Sequence, residues 1–385
     1  MAKNIVFDLF ALIRSALGAS PLAELESDLE VLYKLANAHD VAHLVAFSLK
    51  QNSLLKNEAP VSAKFEKKLM LSLYTTERIE YETRRTSEVL EEAGIDHIPL
   101  KGAVLRTLYP EPWMRTSCDT DILIHPEDCE KAIALLCEKL QYKRQENRTP
   151  HDYQLTSPGG VHLELHYDLI EDDLFPKAIP FLHSVWEKVH AAEGFSYKKE
   201  MSPEFFLFYH LVHMAKHFLE GGCGIRPFLD LYILEEKMPY DKALLSEMLI
   251  QSDLLTFYRI ANELTSAWLL EKEKTPLVAD TEAYVLRGGV YGSLENYSAI
   301  KAGLGENGGS SFLKMAFLSR ERLGVKYPKL KKKPYLYPYY QVKRWFRIFN
   351  PQKRKKVQNL ASSVSAVSNE KKDATARLLY SLGLK

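Results

Sequence analysis

Long apolar runs are missing from this chain. No stretch approaches the roughly 20 consecutive apolar residues that a membrane span requires. The N-terminal stretch Ile5 to Leu17 is interrupted by Asp8 and Arg14, which argues against a signal peptide. Cysteine is scarce too: Cys118, Cys129, Cys137 and Cys223 are the only four in 385 residues. None has the C-x-x-C spacing of a zinc site, so they read as reduced thiols, and the expected location is cytoplasmic. Neither sign of charge dominates. With 51 Lys and Arg against 50 Asp and Glu, a net charge of +1 and a pI near 7.7, the chain has no global attraction to nucleic acid, and any such affinity must be local. No internal repeat is evident. What is present is length enough for two or more domains and 46% hydrophobic residues, enough for a sizeable core.

The most informative segment is Arg115-Thr116-Ser117-Cys118-Asp119-Thr120-Asp121-Ile122-Leu123-Ile124. In a strand, side chains alternate faces, so Asp119 and Asp121 point one way while Thr120 and Ile122 point the other. Two carboxylates about 4 Å apart repel by roughly 1 kcal/mol in water and about 4 kcal/mol at an effective dielectric near 20. A cation is expected between them. A lone Asp-x-Asp also occurs in turns and helix caps, so the neighbouring segments decide its meaning.

One such segment is Gly160-Val161-His162-Leu163-Glu164-Leu165-His166-Tyr167-Asp168, which alternates cleanly. Val161, Leu163 and Leu165 face a core; His162, Glu164 and His166 line the polar face. If this strand neighbours the Asp-x-Asp strand, Asp119, Asp121 and Glu164 converge, and Glu164 is the third carboxylate. An oxygen-only set suits Mg²⁺ or Mn²⁺ better than zinc. The alternative for Glu164 is a solvated strand face.

Upstream, Ile98-Pro99-Leu100 reads as a short strand and Ala103 to Leu108 as a short helix, with Lys101-Gly102 between them. Gly102 sits where a backbone must pass close to something. Lys101 at a helix N-terminus is disfavoured by the helix dipole by about 0.3–1 kcal/mol, and a bound anion would reverse that sign. A phosphate held there, against a metal on Asp119 and Asp121, accounts for all three placements; an ordinary surface lysine is the alternative.

As a set, Leu100-Lys101-Gly102, Leu108-Tyr109-Pro110, Arg115, Asp119-x-Asp121-Ile-Leu-Ile and His162-Leu-Glu-Leu-His166 resemble the signature of a bacterial family of nucleotidyltransferases in the DNA polymerase β-like superfamily. The resemblance extends through His213-x-x-Lys216-His217 and Gly224-Ile-Arg226-Pro-Phe-Leu-Asp230. It departs from the wider superfamily in one respect, with Lys-Gly where Gly-Ser is usual. It implies an α+β fold: a polymerase β-like nucleotidyltransferase core, a mixed sheet with helices, flanked by N-terminal and C-terminal helical regions. It also implies transfer of a nucleoside monophosphate from a nucleoside triphosphate to an acceptor hydroxyl. On this resemblance Asp119, Asp121 and Glu164 are catalytic and hold Mg²⁺ or Mn²⁺, with Glu164 helping to deprotonate the acceptor. Lys101, Gly102, Arg115 and His217 bind the nucleotide, although Arg115 is equally suited to balancing the acidic pair.

The expected organisation is an N-terminal helical region (1–60), a catalytic core (61–200), a C-terminal helical domain (201–325) and a basic aromatic tail (326–385). Val61 to Ala93 reads as one long helix ended by Gly94. Beyond the Asp-x-Asp strand come a helix from Pro126 to Leu140 and strands near 142–145, 153–156 and 161–167, the last two joined by the Ser157-Pro-Gly-Gly160 turn. Helices are expected on one side of the sheet. Ser202-Pro203 opens a helix on which His210, His213 and His217 share a face, a spacing compatible with zinc or with a structural role. Arg226 and Asp230 are i, i+4 partners and are expected as a surface ion pair. Glycines cluster from Gly288 to Gly309, marking either a closing loop or a linker.

From Lys326 to Lys356 there is no Asp or Glu, while lysines and arginines interleave with Tyr335, Tyr337, Tyr339, Tyr340, Trp345, Phe346 and Phe349. This composition suits single-stranded nucleic acid, an anionic membrane surface, or simple packing of the rings on the protein body. A catalytically silent nucleotide-binding or accessory protein that docks through this tail is the competing functional reading.

Overall fold

The computed structural model describes residues 2–22, 24–55, 60–148, 151–170, 174–290, 292–304, 333–348 and 367–385, with single positions at 320, 323, 327 and 330. Helices α1 (Ala2–Ala16), α2 (Leu29–Ala38) and α3 (Ala42–Gln51) precede the long helix α4 (Pro60–Glu92). Gly94 adopts φ +67°, and the Ile95 amide donates back to Leu90 at 3.0 Å. This is the left-handed helix stop that favours glycine, and it sends the chain straight into strand β1 (His97–Pro99).

After the single turn α5 (Gly102–Leu105) come β2 (Asp119–Ile124), α6 (Cys129–Leu140), β3 (Lys143–Arg148), β4 (Asp152–Thr156) and β5 (His162–His166). These strands form a five-stranded mixed sheet in the order β1-β2-β5-β4-β3. Strand β2 runs antiparallel to β1 but parallel to β5, while β4 pairs antiparallel with both β5 and β3. The fold is α+β. The turn between β4 and β5 closes as expected, with the Val161 amide donating to Ser157 Oγ at 3.1 Å.

Alternation decides the two faces. Ile122, Ile124, Leu163 and Leu165 pack under Val89 and Leu90 of α4 and Ala132, Ile133 and Leu136 of α6. Each such fully buried side chain contributes about 1.5–3 kcal/mol. The opposite face carries Asp119, Asp121, Glu164 and His166 and turns toward further helices. The expectation of helices on one side is thus extended to both, because a polar strand face lining a cleft still needs a far wall.

That wall comes from the C-terminal half. A short helix α7 (Ile179–His183) and a two-stranded ribbon, β6 (Val189–Ala191) with β7 (Lys199–Met201), lead into α8 (Pro203–Leu219) and α9 (Arg226–Lys237). Residues Phe205 to Leu211 of α8 are consecutively buried, the pattern of a helix enclosed on all sides. Pro203 occupies the first helical turn as expected. Ser202 does not cap through its side chain; its carbonyl instead accepts from Phe206. Helices α10 (Lys242–Gln251), α11 (Leu255–Leu269), α12 (Pro276–Gly288) and α13 (Leu294–Gly303) follow, and Asn369–Ser381 forms a later helix.

One apolar core runs from Leu9 to Leu384 and joins the N-terminal helices to the C-terminal ones. Phe10 stacks on Trp268 at 4.3 Å, and Arg14 donates to the Trp268 carbonyl at 2.8 Å. Among the described residues no helix is long and apolar enough to cross a membrane. Within the tail, helix Tyr337–Ile348 is described; Lys329, Lys331, Lys332, Phe349 and Lys353 to Lys356 lie outside the described residues, as do Gly308 and Gly309.

Candidate functional site

The parallel pairing of β2 with β5 sets the centre of the site. Its register places Asp121 opposite Glu164 and Asp119 opposite His162, so the alternating carboxylates of two strands share one face. Ligand atoms of Asp121, Glu164 and His166 all lie within 4.8 Å of one another.

Asp121 is 5% exposed and is held from two sides. Lys101 Nζ lies 3.3 Å from its Oδ1, and His166 Nε2 lies 2.9 Å from the same atom. Burial penalises the Asp121 charge, but Lys101 and His166 outweigh it, and the carboxyl sits well below the usual range. His166 shows the reciprocal effect. Burial opposes its charge, yet hydrogen bonds with Asp121 and Glu164 lift the imidazole to about 9. Asp119 moves the other way: burial raises its carboxyl, and the charges of Asp121 and Glu164 add to the rise. Asp121 is thus already balanced by Lys101 and His166, and Asp119 is the carboxylate that an added positive charge would relieve.

Lys101 reaches Asp121 from a strained backbone, φ +43° and ψ −115°, a region that residues with a Cβ rarely occupy. A β-carbon on the next residue, Gly102, would sit 3.3 Å from Ser117 Cβ and 3.4 Å from Arg115 Nη1. The close approach expected of this glycine is therefore to the Arg115–Ser117 loop. The helix that follows is Gly102–Leu105 rather than the expected Ala103 to Leu108. A single turn has almost no dipole to aim at an anion.

The Arg115–Ser117 loop is clamped from both ends of the chain. Arg115 donates from Nε and Nη2 to Asp230, which also accepts from Tyr109 at 2.8 Å. Arg226 donates to Asp40 Oδ2 at 3.1 Å and to the Thr116 carbonyl at 3.2 Å, while Thr116 Oγ1 donates to Asp40 at 2.8 Å. This corrects the surface Arg226–Asp230 pair: Asp230 is 1% exposed and belongs to Arg115, a stronger bidentate partner than an i, i+4 neighbour. It also leaves the Arg115 guanidinium engaged within the protein rather than free for a phosphate.

All seven residues singled out from the sequence line one cleft of about 510 Å³: Lys101, Gly102, Arg115, Asp119, Asp121, Glu164 and His217. The three aligned histidines separate. His210 is buried and meets the Pro227 carbonyl at 3.0 Å, whereas His213 and His217 approach each other, Nε2 to Nε2, at 3.1 Å on the far wall. Among the described residues they form no metal-binding group. Sequence reasoning missed His166 as a site residue, though its place two positions after Glu164 puts it on the same face. It also missed Arg106, a buried cation that donates to Ser117 Oγ at 2.6 Å and is lowered to about 10 by burial, with Arg115 adding to the effect.

A family model described as an uncharacterised nucleotidyltransferase matches residues 26–270. Among solved structures, the chain is similar to an antigenic nucleotidyltransferase-like protein from Paracoccidioides brasiliensis. That likeness has 17% identity and a TM-score of 0.31, over 53% of this chain and 95% of that one. No curated protein matches the sequence.

Proposed function

The chain belongs to that uncharacterised nucleotidyltransferase family, and from this premise we propose that it moves a nucleoside monophosphate from a nucleoside triphosphate to an acceptor hydroxyl, releasing pyrophosphate. The observation that carries the reading is the register of Asp121 against Glu164, with Lys101 on the shared face.

The donor set fits a hard divalent ion. Asp119, Asp121 and Glu164 would hold Mg²⁺ or Mn²⁺, which favour carboxylate oxygen. When bound, such ions neutralise phosphate charge and stabilise the attacking and leaving oxygens. The Lys101 ammonium and the protonated His166 already meet Asp121, which marks its oxygens as a place where positive charge is favoured.

The residues divide the remaining work by position. Lys101, at the cleft wall, would pair with the triphosphate and fix its orientation. Glu164 keeps more solvent access than Asp121, with side-chain exposures of 28% and 6%, and would accept the acceptor hydroxyl's proton. His166 holds Asp121 in place and touches Glu164 at 3.5 Å. Arg115 would act through the loop it anchors, and His217 would meet the nucleotide from the opposite wall.

The test is incorporation from ATP, CTP, GTP or UTP labelled at the α-phosphate, with Mg²⁺ or with EDTA, in wild type and in Asp119→Asn/Asp121→Asn. The reading expects metal-dependent labelled product in cell extract from wild type alone. The same yield of labelled product from the two proteins would overturn it.

A further inference from the structure

The polar sheet face carries a second constellation beside the carboxylates. Ligand atoms of His151, Asp152 and His166 also lie within 4.8 Å of one another. His151 Nε2 stands 3.1 Å from Asp152 Oδ2, and the His151 and His166 rings stack with centroids 5.6 Å apart. Asp152 and His166 are direct cross-strand neighbours on β4 and β5. Two of the three groups are therefore fixed by the sheet itself.

We propose that His151, Asp152 and His166 form a second metal site, selective for a zinc-class divalent transition ion and distinct from the carboxylate site on Asp119, Asp121 and Glu164. Its chemistry differs from that of its neighbour. Two imidazoles and one carboxylate are the donors that zinc prefers, whereas Mg²⁺ prefers oxygen and retains its waters. Tetrahedral ligands about 2.0–2.1 Å from zinc lie roughly 3.3–3.5 Å from one another, so His151 and Asp152 already stand near ligand spacing. Three protein ligands leave a fourth position open.

Burial and access agree with this assignment. Asp152 and His166 are each 1% exposed, so an ion held between them would be shielded from bulk water. His151 lines the cleft, which provides the entry path. His166 belongs to both sets and also meets Asp121 at 2.9 Å, a carboxylate that fixes the ring's orientation. Ligation requires this imidazole to release a proton, so metal uptake is accompanied by proton release.

The probe is Co²⁺, titrated into chelator-stripped protein in the presence of excess Mg²⁺ to fill the carboxylate site. Wild type is expected to take up one equivalent with strong visible absorption that Mg²⁺ does not displace. His151→Gln and Asp152→Asn are each expected to weaken that uptake by at least about 10–100-fold, the cost of altering even an outer partner of a metal. Asp119→Asn is expected to retain it. Absence of a Mg²⁺-resistant equivalent in wild type would overturn the proposal without recourse to any variant, as would wild-type affinity in both ligand variants. The readout is independent of nucleotidyl transfer, so failure of that activity leaves the Co²⁺ result standing.

Discussion

Arg115 grips both carboxylate oxygens of Asp230, from Nε at 3.0 and 3.1 Å and from Nη2 at 2.9 Å. The pair joins the loop ahead of the Asp-x-Asp strand to helix α9, and both side chains are almost fully buried. This ion pair, with the Arg226 hydrogen bond to the Thr116 carbonyl beside it, fastens the cleft's two walls.

Removing one partner of such a pair leaves the other charge buried alone. Asp230→Asn is expected to destabilise the protein by about 3–5 kcal/mol, read from urea unfolding. Tyr109→Phe removes one hydrogen bond to the same carboxylate and is expected to cost only about 1.5–3 kcal/mol. A loss below 1 kcal/mol for Asp230→Asn would show that the clamp is dispensable.

Asp119→Asn separates stability from function. The Asp119 carboxyl is raised by burial and then by Asp121 and Glu164, so its charge is unfavourable without a metal. A neutral isostere relieves that repulsion. In EDTA the variant is expected to melt above wild type, and Mg²⁺ should narrow or reverse the gap by stabilising wild type through binding. Labelled product should fall by at least about 100-fold. A variant that melts lower than wild type in EDTA would contradict the electrostatic account.

The strain at Lys101 gives a backbone prediction. At φ +43° glycine is at ease and alanine is not. Both Lys101→Gly and Lys101→Ala lose the ammonium on Asp121, so their difference isolates the backbone. Lys101→Gly is expected to be the more stable by about 1 kcal/mol in parallel denaturation curves. Both should raise KM for the triphosphate.

Local pattern made the centre of the site legible and left its supports hidden. Strands β2 and β5 could be read because Ile122, Leu163 and Leu165 alternate with charged residues, and period-2 alternation survives without knowledge of the fold. The long helix α4 was readable for a different reason, an unbroken charged run that ends on a glycine able to take the left-handed stop at Gly94. The partners of Arg115 and Arg226 were not. Asp230 lies 115 residues beyond Arg115, and Asp40 lies 186 residues before Arg226. Ion pairs at such separations leave no periodic trace, so the i, i+4 spacing of Arg226 and Asp230 pointed to the wrong couple. The histidine helix was half legible: His210, His213 and His217 all line the cleft as the shared stripe implied, but the Pro227 carbonyl that engages His210 lies 17 residues away and left no trace in the spacing.

Stability of the metal-free protein should peak near neutral pH, with a different cause on each side. His39, His43, His97 and His210 are all lowered by burial, against hydrogen bonds to the backbone carbonyls of Leu286, Met114, Ile95 and Pro227. Below about pH 6.5 the unfolded chain takes up protons that these folded histidines refuse, so stability falls as the pH falls. Asp119, raised by burial, works against this trend at the acid end. His166 acts in the opposite direction. Its imidazole is raised to about 9, so its contribution is complete below about 6.5 and is lost as the pH climbs toward 9. Melting temperatures in EDTA are therefore expected to drop from pH 7 to 5.5 and again from pH 7 to 9. His166→Gln should flatten the alkaline limb while leaving the acid limb in place, and His97→Gln should do the reverse. An alkaline limb that persists unchanged in His166→Gln would mean that the charge on Asp121 is balanced by Lys101 alone.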